Sequence, residues 1–117
     1  MTEDDFRNIA LGFDGAVEGA HMGHPDFRAN GRIFASLHGN DTTAMVKLTP
    51  EQQVVFERDH PKVFEPATGA WGRQGYTRVT LRPAQAPAVR SAMLLAFQGV
   101  MEMAKAKPKA KAKRPRA

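Results

Sequence analysis

Asn30-Gly31 constrains this chain more than any other pair of residues. A two-residue type I′ turn needs positive φ at both central positions. Asn tolerates that and Gly adopts it freely, so Asn-Gly between short apolar runs joins adjacent antiparallel strands. The pair predicts a hairpin from a strand around Asp26-Phe27-Arg28 to Arg32-Ile33-Phe34-Ala35-Ser36-Leu37. Gly39-Asn40-Asp41 is a second turn signal and leads into Thr43-Ala44-Met45-Val46-Lys47-Leu48, which completes a three-stranded meander. Alternation does not say which face of the middle strand is buried. Phe34 points one way, and Ile33, Ala35 and Leu37 the other. Tyr76-Thr77-Arg78-Val79-Thr80-Leu81-Arg82 is a cleaner strand, with Val79 and Leu81 on one face and Tyr76, Arg78, Thr80 and Arg82 on the other. Val63-Phe64-Glu65 reads as a further short strand, and Gly69 to Gly75 as a glycine-spaced loop.

Three helices surround these strands. Thr2 caps the first, with Asp5 three residues on as a capping box, and Phe6, Ile9, Ala10 and Phe13 form its apolar stripe. The second starts at Thr49-Pro50-Glu51-Gln52, with Thr as N-cap, Pro at N1 and Gln at N3, and runs to about Asp59 because Pro61 disfavours helix at His60. The third begins near Pro87, faces inward with Val89, Met93, Phe97, Val100 and Ala104, and fades by Pro108. Helices at both ends and between strands describe an α+β fold: an antiparallel sheet with helices packed on one face, a two-layer sandwich.

Charge divides the chain in two. Of its 17 Lys and Arg, seven fall in residues 104–117 with no acidic residue among them, which leaves ten against twelve Asp and Glu in residues 1–103. The body is therefore slightly acidic, and the basic character belongs to the end segment. Alternating Ala and Lys with two prolines buries no apolar surface, so residues 104–117 are expected to be a disordered basic tail on a single domain, residues 1–103. There is no cysteine, hence no disulfide, thiolate nucleophile or cysteine metal site. The acidic start Thr2-Glu3-Asp4-Asp5 is unlike a signal peptide, and no apolar run approaches the roughly 18 residues of a membrane helix. A cytoplasmic protein without a membrane partner is expected.

Two stretches resemble the MmcQ/YjbR-like family. His21-Met22-Gly23-His24-Pro25-Asp26-Phe27-Arg28, followed by Gly31-Arg32-Ile33-Phe34-Ala35-Ser36-Leu37, is similar to that family's G-x-P-x-F-R-x-x-G-K-x-F-A pattern. Val63-Phe64-Glu65-Pro66, with Trp71-Gly72-Arg73-Gln74-Gly75-Tyr76-Thr77-Arg78-Val79-Thr80-Leu81, is similar to its second signature. The likeness spans roughly residues 5–103. Arg32 stands where Lys is common, and the tail is an addition. The resemblance implies a CyaY (bacterial frataxin)-like arrangement of two helices over an antiparallel sheet. It also implies DNA binding, on the strength of a proposed double-wing arrangement of loops in the family.

The tail is the strongest functional signal. Lys105, Lys107, Lys109, Lys111, Lys113, Arg114 and Arg116 point to a polyanion such as DNA or RNA, bound without sequence preference through counterion release. A second surface would combine Arg28, Arg32, Trp71, Arg73, Tyr76, Arg78 and Arg82, arginine and aromatic side chains of the sort that hold single strands on sheets. The simpler reading of that set is a solvated strand face. Gly69, Gly72 and Gly75 precede a strand rather than a helix N-terminus, so they are turn glycines and not a phosphate loop. His21 and His24, read on an extended segment, point to opposite faces and make no metal pair. Glu3, Asp4 and Asp5 only faintly resemble the iron-binding acidic helix of frataxins and suit the helix dipole. Ser36 and Ser91 lie in a strand and a helix, not in a nucleophile elbow. The expectation is a non-enzymatic, monomeric nucleic-acid-binding protein, with no catalytic or metal residues and no cofactor, acting in the cytoplasm near the nucleoid. The alternative is a protein- or small-molecule-interaction module whose tail serves solubility or localisation.

Overall fold

The structure is a computed structural model that describes the backbone of residues 1–40 and 42–112, and side chains as far as Glu102, apart from Asp41. The ten elements run α1 (Glu3–Leu11), β1 (Val17–His21), β2 (His24–Ala29), β3 (Arg32–Leu37), β4 (Thr43–Lys47), α2 (Pro50–Asp59), β5 (Phe64–Pro66), α3 (Ala70–Arg73), β6 (Tyr76–Thr80) and α4 (Ala86–Ala112). The side chains of the basic segment from Lys105 to Arg116 lie outside the described residues.

The strands form one antiparallel sheet in the order β1-β2-β3-β4-β6-β5. Asn30 and Gly31 have φ of 53° and 76°, the left-handed pair a type I′ turn requires. The pairing of β2 with β3 shifts from Phe27↔Ala35 to Arg28↔Ile33, so Phe34 is an extra residue in β3. This bulge resolves the ambiguous pattern of the strand. Phe34, Ala35 and Leu37 all become fully buried.

One face of the sheet carries the core. Phe27, Ala35, Leu37, Ala44, Val46, Thr77, Val79 and Phe64 share it by register and are all buried. α1 and α4 cover the β2–β4 half: Phe13 of the α1 loop stacks on Phe97 of α4 at 5.1 Å, and both meet Phe34 edge-on. α2 covers the β5 end, where Phe56 packs on Phe64 at 5.2 Å and the buried Gln53 amide donates to Tyr76 O and Thr77 Oγ1. Both expected capping boxes are formed, Thr2 with Asp5 and Thr49 with Gln52.

Three elements differ from expectation. Val17–His21 is an edge strand that its sequence does not announce, because Gly19 and the flanking polar residues show no apolar alternation. Ala70–Arg73 is one turn of helix inside the expected loop. The last helix is assigned to Ala112, past Pro108, through residues in which the strong helix formers Ala and Lys predominate.

Gly75 ties β6 to the β4–α2 junction. Its φ is 106°, and a Cβ there would lie 1.9 Å from Leu48 O. Gly99, inside α4, has open space where a Cβ would go. Substituting them should therefore have opposite effects. In urea denaturation Gly75→Ala is expected to lose roughly 2–4 kcal/mol through strain and backbone collision. Gly99→Ala is expected to gain about 0.5–1 kcal/mol by reducing unfolded-state freedom.

Candidate functional site

The face of the sheet away from the helices is where the polar residues gather. By register it carries Asp26, Ser36, Met45, Arg78 and Glu65 in one row across five strands, with His21 and His24 paired at one edge. The His21–His24 pairing corrects the expectation that these residues diverge. Met22 and Gly23, at φ 50° and 80°, make a two-residue turn, so the histidines are cross-strand neighbours with ring centroids 6.4 Å apart. Only Gly23 hinted at this turn, because Met rarely takes the positive φ that Met22 adopts here.

Asp26 is the hub of this edge. It is fully buried, and its carboxylate accepts a bidentate pair from Arg28 (Nε to Oδ1 2.6 Å, Nη2 to Oδ2 3.0 Å). His21 Nδ1 lies 2.8 Å from Oδ2. The Arg28 guanidinium, and to a lesser degree His21, hold the Asp26 pKa below the usual carboxylate range against the opposing effect of burial. An ionised carboxylate only accepts, so His21 donates through Nδ1, and Nε2 of the neutral imidazole is left as a free acceptor.

At the centre, His38 Nδ1 lies 2.7 Å from Thr43 Oγ1, in a turn held by Asn40 Oδ1, which accepts from Thr42 N and Thr43 N. Burial lowers the His38 pKa, and the charges of His24 and Arg78 push it the same way. On the far side Trp71 of α3 stands edge-on to Tyr76, at 4.8 Å and 86°, and is 60% exposed. α3 sits this close because Gly72 has no side chain; a Cβ would fall 2.0 Å from Ala67 O. Lys47 Nζ lies 5.0 Å from the centre of the Tyr76 ring and donates to Leu48 O and Gln74 O.

Between these groups lies an open cavity of about 340 Å³, lined by His21, His24 and His38 toward one end and by Trp71 and Tyr76 toward the other, over Ser36 and Met45. Ser36 is only 5% exposed, and its hydroxyl has no hydrogen-bond partner among the described residues. A larger groove of about 580 Å³ lies on the helix side between the β4–α2 junction and α4, but its one cationic group, Lys47, is already committed to backbone carbonyls.

The expected arginine and aromatic surface is only partly assembled. Arg28, Tyr76, Arg78 and Trp71 do lie on or beside the open face, yet both arginines are paired: Arg28 with Asp26, and Arg78 through Nε and Nη2 with Glu65 Oε2. Arg32 is paired with Ala29 on the helix-covered side, Arg73 ends α3, and Arg82 sits in the turn after β6. Ser36 and the three histidines instead line the cavity, and no linear spacing marks them. Among the described residues, no group of three or more His, Asp or Glu is placed to hold a metal ion.

No family model matches the chain, and no curated protein does. Among solved structures it is similar to the crystal structure of protein DR2400 of Deinococcus radiodurans, which carries a DUF419 family-model domain. The TM-score is 0.67 and the identity 17%, over 82% of this chain and 75% of that one. The likeness is one of fold. Among the described residues no helix is long and apolar enough to cross a membrane.

Asp26 and His38 both have depressed pKa values in the folded state, so each contributes stability that is lost as pH falls: His38 from about 6.5 downward, Asp26 from about 3.9 downward. Asp26→Asn is expected to cost about 1–3 kcal/mol at pH 7 by leaving Arg28 and His21 without their charged acceptor. In urea titrations its gap from the parent should narrow below pH 4, where the carboxylate takes up a proton in the unfolded parent before it does so in the folded one.

Proposed function

We propose that this is a non-enzymatic nucleic-acid-binding protein of the MmcQ/YjbR-like kind, cytoplasmic, monomeric and associated with the nucleoid. Lys105, Lys107, Lys109, Lys111, Lys113, Arg114 and Arg116 supply the affinity, without sequence preference. The observation that carries this reading is the segregation of charge. Seven cations without an anion occupy residues 104–117, while the body holds more acid than base. Its two open-face strand arginines, Arg28 and Arg78, are neutralised by Asp26 and Glu65. A phosphate backbone approaching the body would have to displace those carboxylates, whereas the end segment offers its charges unopposed. The motif residues from His21 to Leu37 and from Val63 to Leu81, together with the α+β fold, support the family assignment.

The cavity beside Trp71 favours a second reading for the body, a small-molecule- or protein-interaction module with the basic segment as a solubilising or localising element.

Fluorescence anisotropy on short duplex and single-stranded DNA across a salt series separates the two. Full engagement of seven cations on a duplex gives a log–log salt slope of about −6. Replacing the seven residues with Gln in the full chain should remove most of the affinity and flatten the slope. Unchanged affinity of that variant would move the binding site to the body, and no binding by the parent protein would leave the interaction-module reading.

A further inference from the structure

The cavity on the open face has a feature that packing alone does not explain. Ser36 is 95% shielded from solvent, yet its hydroxyl meets no protein donor or acceptor among the described residues. Buried polar groups almost always have partners, because desolvating one without compensation costs as much as a hydrogen bond. Ser36 lies in the cavity wall, so a molecule in the cavity is what its hydroxyl can reach.

The other walls narrow the class of that molecule. The open-face strand arginines beside it are both paired, Arg28 with Asp26 and Arg78 with Glu65, so neither offers an uncommitted guanidinium to a phosphate or a carboxylate. His21 and His38 each commit Nδ1 and keep Nε2, and His24 makes no hydrogen bond among the described residues, only a ring contact with His21. A neutral imidazole offers an acceptor or a donor according to tautomer, so the set matches a ligand edge that mixes both. Opposite, Trp71 is fixed edge-on against Tyr76 with most of its indole surface open, a platform for a flat ring. The volume of about 340 Å³ is at the small end of ligand pockets, which span roughly 300–1,000 Å³.

We infer that this cavity is a pocket for a single nucleobase, which stacks on Trp71 and directs its hydrogen-bonding edge to Ser36 and the histidines. The inference deepens the nucleic-acid reading and rests on it for the source of the base: an unstacked base of a single strand whose backbone is held by the basic segment. A free nucleoside would satisfy the same groups.

Trp71 is the only tryptophan in the chain, so its emission reports on the pocket directly. The full-length protein is titrated with adenosine, guanosine, cytidine and uridine, then with a single-stranded oligonucleotide and an abasic strand of equal length. The expected result is saturable 1:1 quenching by at least one nucleoside, unchanged by salt because no charge is neutralised. Ser36→Ala should weaken it about five- to tenfold while leaving the melting temperature intact, since the hydroxyl has no partner to lose. In calorimetry, Trp71→Ala should abolish the nucleoside heat. Equal, salt-steep binding of the two strands without nucleoside quenching overturns the pocket and leaves nucleic-acid binding standing. Nucleoside quenching without binding of either strand keeps the pocket as a free-nucleoside site and overturns the nucleic-acid function. Undiminished affinity in Ser36→Ala also overturns the pocket.

Discussion

The extra residue at Phe34 is the constraint on which the rest of this structure depends. A regular β3 would send Phe34 and Ser36 to one face and Ala35 and Leu37 to the other. The bulge lets Phe34 join Ala35 and Leu37 in the core, where its ring closes a triangle with Phe13 and Phe97 and thereby fastens α1 and α4 to the sheet. Ser36 keeps the opposite face, in register with Asp26 and Met45. One local irregularity thus packs a third side chain on the helix side of the central strand without taking Ser36 from the floor of the open-face cavity.

Burial on that open face is unusual for a sheet side without a helix layer, and polar contacts make it possible. Asp26 is shielded by its fork to Arg28 and its bond to His21, and Arg78 lies down along Glu65. These pairs discharge the face while keeping it polar. Trp71 then closes the far side, because Gly72 lets α3 settle on Ala67. The result is a polar, hydrogen-bonding recess beside paired arginines, on a body whose formal charge is slightly acidic. The nucleic-acid function and base pocket proposed above divide the labour between the charge-bearing end segment and the shape-bearing domain. Electrostatic attraction acts over about a Debye length, whereas discrimination of a flat ring needs rigid walls at contact distance.

Much of the fold is legible in the chain because its signals are local. Asn30-Gly31, the capping boxes at Thr2 and Thr49 and the alternation from Tyr76 to Leu81 each depend on a few neighbouring residues, and each forms as read. The edge strand Val17–His21 was not legible. An edge strand with one face toward solvent needs no apolar alternation, and it exists because β2 offers it a partner. Little of the cavity was legible either. Of the residues singled out as a surface, Tyr76 and Trp71 line it, while Arg28 and Arg78 turned out to be committed to carboxylates. His21, His24 and His38 had seemed incidental, since reading an extended segment through Met22-Gly23 separates the first two, and only pairing across β2, β3 and β4 brings in the third.

By itself, the sequence determined the class of fold, the helix starts, one hairpin and the separation of charge between body and end segment. All of these follow from backbone preferences and formal charge, which act within a few residues or need no geometry at all. Only the tertiary structure decided which arginines remain available, which histidines meet and which hydroxyl is left without a partner. Those outcomes depend on cross-strand register, and a single inserted residue at Phe34 shifts that register by an amount that no alternation pattern records.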